Sequence, residues 1–399
     1  MTTATQAPAG SAEGHIDPAA SLVSGFVPVQ TRSERPTSFD PADFGTPTGR
    51  EVNWKHTPVA RLAGVLADEP SDADALAYGW EAIPDEVRVA STGVDAPVRG
   101  EVFRPEDRAS ALAWTRSPDA IHLRIPADAE IAEPLRLDVT GAGGRAHAHV
   151  VVEAMPHSQA TVLLYHSGSA QLAQNVETIV RDGARLTLIS VQRWDDDAVH
   201  LASHQARVDR DASLTHVVVS LGGGVVRVNP SVELAGPGSD GKLFGLSFAD
   251  AGQHLESQVY LHHKGPHTTG DVLYKGALQG ADAHSVWIGD VLIGPDAVGT
   301  DSYEANRNLV LTDGARADSI PNLEIETGDI VGAGHASATG RFDDEQLFYL
   351  QARGIAEDEA RRLVVLGFLA EIVQKTGIPA LEDELVAAIE AELAAGADA

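Results

Sequence analysis

The sequence predicts a mainly β protein, with a parallel β-helix at its core and α-helices after it. From about residue 98 to residue 342 the chain consists of short alternating segments, such as 214–219, which Gly, Asp and Asn separate. Three of these segments begin alike, with Ala160, Ala184 and Ala212 spaced 24 and 28 residues apart. A loose period of this length favours solenoid rungs, which bury their apolar sides by stacking, although a β-sandwich would show a similar strand density.

The chain before this core is predicted to contain two parts. Residues 1–20 are rich in Ala, Thr, Gly and Pro and lack periodicity, so we expect a disordered tail. Residues 21–97 are predicted to form a small mixed or helical region. Its helical segments, such as 58–66, should stay short because prolines recur at positions 28, 36, 41, 47, 58 and 70.

Beyond residue 342 the apolar residues recur with the period of an α-helix, which predicts a helical domain over 343–399. Asp343 suits the N-cap of a first helix, and Gly354 suits the position just after its end. We expect a second helix over 357–375 and a third, acidic helix over 380–395. The second is apolar on more than one face, so it needs cover from this chain or from a partner.

The composition excludes several classes of function. The 399 residues carry a formal net charge of −29, which argues against nucleic-acid binding and against an anionic membrane surface. The chain has no Cys, so it supplies no disulfide, thiolate ligand or persulfide carrier. Its N-terminus lacks the features of a secretion signal and no apolar run could span a bilayer, so we expect a cytoplasmic protein.

Three motifs could indicate a site, but a structural interpretation is simpler for each. Residues 236–241 fit G-x-G-x-x-G, yet the strand-like sequence after them favours a turn over a phosphate-binding loop. His147 and His149 have a spacing that places both rings on one strand face, as in some metal sites, but two surface histidines are more usual. We also expect a solvated loop around the histidines at positions 262, 263 and 267.

His335 differs from these histidines in its surroundings. Small residues surround it over 332–340, so we expect an accessible ring in a small-residue turn. A neutral imidazole there could bind a borderline metal such as iron. Glu326 and Asp329 shortly before it could attract the metal, although solvated acids at a strand edge are more common.

Several short motifs in the last quarter of the chain occur together and in a fixed order. They are Leu-Glu-Ile at 323–325, the His335 segment, Asp-Glu-Gln-Leu-Phe-Tyr-Leu at 344–350 and Glu-Ala-Arg-Arg-Leu at 359–363. This order resembles the C-terminal signature of the SufB/SufD proteins, the scaffold subunits of the SUF iron–sulfur cluster assembly machine. Upstream positions follow the same family, namely Lys275, Gly276, Trp287, Gly289, Thr300, Asp301, Asn306 and the N-terminal segment 51–57.

The resemblance implies a right-handed parallel β-helix and a non-catalytic scaffold role in a complex of SufB-type, SufC-type and SufD-type proteins. A SufB-type subunit should bring Cys residues to accept sulfur, so a chain without Cys is expected to be the SufD-type subunit. We expect its β-helix to pair with the SufB-type subunit around residues 291–325. No cofactor should bind tightly, although iron or an iron–sulfur cluster could be shared transiently with that subunit.

The resemblance also assigns residues to these roles. His335 stands at the family's conserved His, which implies a ligand for iron or a nascent cluster at the interface. The family pattern places Cys-Ser before this His, whereas this chain has Ala333 and Gly334. The C-terminal helices are the implied docking surface for a SufC-type ABC ATPase. The apolar residues expected to contact it are Phe348, Tyr349, Leu350, Leu363 and Phe368.

Two enzyme classes are the alternatives. A β-helix carbohydrate-active enzyme would need clustered acids or cations on one rung face, whereas the acids of this chain are scattered. A metal-dependent enzyme built on His147 and His149 would need a third ligand, and no matching downstream motif supplies one. An isolated scaffold should purify almost free of metal, and a metalloenzyme should not.

Overall fold

The computed structural model describes residue 32 and residues 35–81, 83–342 and 344–397. Two expectations, the tail over 1–20 and the N-cap at Asp343, lie outside the described residues. Ahead of the main sheet the described chain forms short 3-10 helices, two strands and one α-helix. These are the 3-10 helices Pro41–Asp43, Val52–Trp54 and Val59–Leu62, the strands β1 (Leu76–Trp80) and β2 (Arg88–Gly93), and helix α1 (Arg108–Arg116).

Fourteen further strands follow in the described chain, and they form its core. They are β3 (Asp119–Ile125), β4 (Leu135–Ala154), β5 (Gln159–Val180), β6 (Arg185–Trp194), β7 (Val199–Val208), β8 (Ser213–Ser220), β9 (Val225–Leu234), β10 (Asp240–Ala249), β11 (His254–His263), β12 (Thr269–Leu278), β13 (His284–Ile293), β14 (Thr300–Val310), β15 (Arg316–Ile325) and β16 (Ile330–Arg341). All pairs among them are parallel, whereas β1 and β2 pair antiparallel with β4 and β3.

The parallel strands wind into a two-sided solenoid. From the long strand β5, the order β5-β6-β8-β10-β12-β14-β16 forms one side, and β5-β7-β9-β11-β13-β15 forms the other. We call these the even sheet and the odd sheet. Each rung contributes one strand to each sheet, so the predicted parallel β-helix is confirmed. The β-sandwich is excluded, because its sheets are antiparallel.

The same turn recurs in successive rungs and explains the length of the repeat. Gly183, Asp211, Gly238 and His267 each have a left-handed backbone, with φ between 53° and 72°. Each donates its N–H to a carbonyl of the next rung, as in the 2.8 Å bond from Gly183 to Arg210. The repeat that the alanines suggested follows from this ladder, since Ala184 and Ala212 directly follow two of its members.

Both outer faces of the solenoid are partly covered. Trp54 and Leu62 of the N-terminal region and Ala113 of α1 pack on the odd sheet. The C-terminal helices α2 (Asp344–Ala352), α3 (Glu357–Val373) and α4 (Pro379–Ala397) follow β16, with a 3-10 turn at Gln374–Thr376. Val365 and Leu369 of α3 pack on the even sheet, so the solenoid itself supplies part of the cover that this apolar helix needs.

Candidate functional site at the end of the solenoid

The solenoid ends in two strands that each have a neighbour on one side only. Strand β16 is the last strand of the even sheet, and β15 is the last strand of the odd sheet. Within the described chain, no strand pairs with their outer edges. Large apolar side chains lie exposed here, including Ile325 and Val331, which is 75% exposed. Unpaired edges of this kind can pair with another chain.

His335 lies within β16 and not in the turn that we expected from its small neighbours. The ladder with β14 explains the difference, because pairing across 332–341 holds this Gly- and Ala-rich run extended. The small neighbours still leave the ring accessible, since 46% of the side chain is exposed. His335 is therefore an open imidazole on an edge strand.

Next to His335 lies a carboxylate that the sequence analysis missed. Glu304 of β14 pairs in register with His335 on one side and with Val272 of β12 on the other. Its side chain is completely buried, and its Oε1 lies 3.8 Å from the Nδ1 of His335. Neither oxygen accepts a hydrogen bond from any residue that the structure describes. Burial and, secondarily, the charge of Asp290 raise the pKa of Glu304 to about 8.

A glycine makes room for this carboxylate inside the solenoid. A side chain at Gly289 of β13 would collide with the Oε2 of Glu304 and with the ring of Trp287. The Nε1 of Trp287 and the hydroxyl of Tyr274 are also buried without a hydrogen-bond partner among the described groups. The interior near this end therefore contains polar atoms that the surrounding chain leaves unsatisfied.

A recess of about 340 Å³ opens beside His335. Arg32 contributes a fixed cation, because its guanidinium donates to the carbonyl of Gln258 at 2.8 Å and lies 3.3 Å from Glu106. The rest of the wall combines polar or aromatic residues with apolar residues. The first group is Tyr260, Asp290, Asn322, Glu324 and His335, and the second is Val291, Leu292, Pro321 and Leu323. The recess therefore places the open imidazole beside charged groups of both signs and an apolar surface.

These residues do not make a complete metal site by themselves. No cluster of three or more His, Cys, Asp or Glu side chains suited to a metal ion occurs in the part of the chain that the structure describes. His335 and Glu304 would supply two ligands, whereas protein sites for zinc commonly use three or four. Glu326 and Asp329 are exposed around the turn before β16, and neither is paired with His335 in the described structure.

The pair His147 and His149 is structural. Both rings share one face of β4, as the spacing predicted, but both are buried, so the expected surface position is wrong. The reason is cover by the N-terminal region: Trp114 of α1 meets the ring of His149 edge-on at 5.3 Å. Burial lowers the pKa of His147 to about 4 and also lowers that of His149, so both are neutral at pH 7.

The other motifs have structural explanations too. His263 is buried and hydrogen-bonded to Thr268 at 2.8 Å and to Ser302 at 2.9 Å, so the expected solvated loop is wrong for this residue. The expectation holds for His267, which is exposed. Residues 236–239 form a turn between β9 and β10, which confirms the structural interpretation of the glycine-rich segment.

The five apolar residues expected to contact an ATPase lie on α2 and α3. Phe348 and Tyr349 are 73% and 57% exposed, and Leu363 is 43% exposed. Leu350 and Phe368 are partly buried.

Lys275 of β12 holds α3 against the solenoid. Its ammonium group donates to the carbonyl of Phe368 at 2.8 Å and lies 2.7 Å from the carboxylate of Glu371. The exposed apolar residues are therefore presented by a helix pair that is anchored to the even sheet.

Comparison with known proteins decides the family. The model described as "SUF system FeS cluster assembly, SufBD core domain" matches residues 137–368, more than half of the chain. The chain belongs to the SufBD family. An iron–sulfur cluster assembly SufBD family protein of Mycobacterium leprae (strain TN) is 48% identical over 372 residues, which cover 89% of this chain and 93% of that protein. One of Mycobacterium tuberculosis (strain ATCC 25618 / H37Rv) is 49% identical over 368 residues, covering 89% and 91%.

The same Mycobacterium tuberculosis strain has a second SufBD family protein that is less similar to this chain. It is 29% identical over 215 residues, which cover 54% of this chain and 25% of that protein. Neither the family match nor the site favours a carbohydrate-active enzyme or a histidine-dependent metalloenzyme. No helix in the described ranges has the length and apolarity that crossing a membrane would require.

Proposed function

We propose that this chain is the SufD-type, non-catalytic scaffold subunit of a cytoplasmic SufB–SufC–SufD complex for iron–sulfur cluster assembly. The end of the solenoid pairs with a SufB-type subunit, and the C-terminal helices dock a SufC-type ATPase. His335 then contributes a ligand for iron or for a nascent cluster at the shared interface. One observation carries the proposal. An exposed imidazole lies on a strand whose outer edge has no partner in the described chain, and the chain has no Cys.

The lack of Cys supports the SufD-type assignment within the family. A nascent iron–sulfur cluster requires sulfur, and proteins hold iron–sulfur clusters mainly through Cys thiolates. This chain has none, so a partner must supply them, and its own contribution is limited to imidazole and oxygen ligands. The presence of two different SufBD family proteins in one Mycobacterium tuberculosis strain agrees with a pair of unlike subunits.

The edge strands support pairing at the end of the solenoid. The outer edges of β15 and β16 are long and nearby apolar groups are exposed, which is a hazard for aggregation unless a partner covers them. A second solenoid could extend both sheets by strand addition, and backbone hydrogen bonds would then supply much of the affinity. Such pairing would bury His335 and close the recess beside it.

Copurification tests the complex directly. A tagged full-length chain isolated from its native host should bring down a SufB-type and a SufC-type protein in fixed stoichiometry. Val331→Asp should weaken binding of the SufB-type partner at least tenfold, since it places a charge beside the edge of β16. Val52→Asp is the matched control, because Val52 is 50% exposed on the N-terminal region. Absence of both partners would overturn the proposed function.

The role of His335 has a separate test. The ring is about half exposed and has small neighbours, so His335→Ala should change the free energy of unfolding by about 0.5 kcal/mol or less. The complex should still form, but its yield of iron–sulfur cluster should fall. A normal yield with a lowered melting temperature would make His335 a structural residue.

A further inference from the structure

Glu304 follows two apolar residues in one column of the solenoid, Leu243 and Val272. Leu243, Val272, Glu304 and His335 are successive partners along the even sheet, and the first two are fully buried aliphatic residues. A carboxylate at the third position gains nothing for packing. It also finds no hydrogen-bond donor among the described groups, although buried polar atoms almost always have one.

A buried carboxylate without a partner is expected to be protonated, to be paired with a cation or to coordinate a metal. The imidazole of His335 is a metal-binding side chain beside Glu304, since its Nδ1 lies 3.8 Å from the Oε1 of Glu304. Bonds from zinc to imidazole nitrogen and carboxylate oxygen are about 2.1 Å each. Their sum, about 4.2 Å, exceeds the observed separation, so one ion of similar size can reach both atoms.

We propose that Glu304 is a second protein ligand, beside His335, for a ferrous ion at the end of the solenoid. This inference rests on the proposed function, because two ligands need completion by a partner's side chains or by water. The pair suits iron: imidazole and carboxylate are the protein ligands of many non-haem ferrous sites. The ion is cargo for the growing cluster, and Glu304 supplies the anionic ligand that a chain without Cys otherwise lacks.

The two ligands differ in a way that fits loading from the interface. His335 is open at the surface, whereas Glu304 lies one rung deeper and is completely buried. Gly289 on the opposite strand leaves the space that the carboxylate occupies. An ion that enters through the recess would therefore meet the imidazole first and then the carboxylate, without passing through the apolar interior.

The test uses the full-length chain in complex with its copurified partners, under anaerobic conditions. Ferrous ion is titrated directly, and Co²⁺ serves as a second probe whose visible spectrum reports its ligands. We compare wild type with Glu304→Gln, which keeps the shape and removes the charge, and with His335→Ala. Asp296→Asn is the control, because it removes an exposed carboxylate from the turn between β13 and β14.

We expect Glu304→Gln to weaken Fe²⁺ binding at least tenfold and to alter the Co²⁺ spectrum, while the complex stays assembled. Asp296→Asn should behave like wild type. Glu304→Asp, which retains a shorter carboxylate, should recover part of the affinity. Unchanged affinity in Glu304→Gln but lost affinity in His335→Ala would overturn the role of Glu304 and leave the proposed function standing. Unchanged affinity in both variants would overturn this site altogether, and so would loss of affinity caused by dissociation of the complex.

Discussion

Replacing Glu304 by glutamine should change how the stability of this chain depends on pH. In the folded chain, burial raises the pKa of Glu304 to about 8, whereas a solvated glutamate titrates near 4.5. The folded state therefore holds a proton that the unfolded state releases over this range. Such a group does not lower the free energy of unfolding below about pH 4.5. As the pH rises from there towards the folded pKa, the free energy of unfolding falls.

The size of the effect follows from the two pKa values. One pKa unit corresponds to about 1.4 kcal/mol, so at pH 7 the protonated, buried Glu304 costs about 3 kcal/mol relative to the unfolded chain. At pH 5 the cost is about 1 kcal/mol, because the unfolded glutamate is then only partly ionised. For a chain of this length, with an unfolding entropy of about 2 cal/mol/K per residue, the difference corresponds to about 3 °C in melting temperature.

The assay compares thermal melts of wild type and Glu304→Gln between pH 5 and pH 8, with a chelator present to remove metal. Groups distant from position 304 titrate equally in both proteins, so the difference between the two melting temperatures reports on Glu304 and the charged groups beside it. We expect the melting temperature of the variant, measured relative to wild type, to rise by about 3 °C from pH 5 to pH 7. Glu326→Gln, which alters an exposed carboxylate, is the control for removing a negative charge without removing a buried group.

A flat difference for Glu304→Gln would refute this reasoning. It would mean that Glu304 has an ordinary pKa in the folded chain, through contacts such as ordered water. A difference that shrinks with rising pH would be stronger evidence against it. In that case the folded chain would stabilise the ionised carboxylate, which requires a cationic or hydrogen-bonding partner near the buried oxygens.

Three other predictions concern the surfaces and anchors around the site. Phe348→Asp should abolish binding of the SufC-type ATPase without lowering the melting temperature, whereas Val94→Asp, at an exposed position on the N-terminal region, should leave binding intact. Lys275→Ala should cost about 1–3 kcal/mol and increase hydrogen exchange in α3, because the ammonium joins that helix to β12. Glu177→Gln should cost about 2 kcal/mol in urea unfolding, since its carboxylate accepts bonds from the backbone N–H groups of Gly100, Val102 and Phe103, in the segment before α1. Each assignment would be contradicted by an unchanged measurement. These are the affinity for the ATPase in Phe348→Asp, the hydrogen exchange of α3 in Lys275→Ala, and the urea unfolding curve in Glu177→Gln.

The solenoid could be predicted because its cause is local and repeated. Each rung needs a left-handed turn residue at the same place, and Gly183, Asp211 and Gly238 recur at nearly constant spacing. Helix α1 was not predicted, although Asp107 and Ser110 form a capping box at its start. Its nine residues are too few for the helical period to stand out, so a short cap-bounded helix can escape a search for periodicity.

The burial of the histidines could not be predicted from their spacing. Alternation along β4 correctly placed His147 and His149 on one face, but alternation does not tell which face is covered. The cover comes from chain segments before β3: Trp114 of α1 and Phe103 contact the ring of His149, and Ser71 is hydrogen-bonded to His147. The small residues around His335 misled in a different way, because pairing with β14 holds extended a run that local preference would assign to a turn.

Glu304 could have been found only by aligning the rungs. Within its own strand it is one polar residue among several, and nothing in the local sequence marks it as buried. Once the rungs are in register, it follows His216, Leu243 and Val272 in one interior column and precedes His335. The earlier polar residue of the column, His216, is hydrogen-bonded to His204, whereas Glu304 has no hydrogen-bond partner among the described residues. The signal is therefore a buried carboxylate without a partner, and it appears only when the rungs are aligned.

The position of Glu304 in this column supports a functional role. The last rung of a solenoid is stacked on one side only, so a polar residue there can remain in contact with water, as His335 does. Glu304 lies one rung further in, where its carboxylate is completely buried and has no hydrogen-bond donor among the described residues. Packing alone would favour another aliphatic residue at this place, like Val272 before it. A destabilising acid directly beside an open imidazole is the arrangement expected when selection retains a ligand pair at the cost of stability.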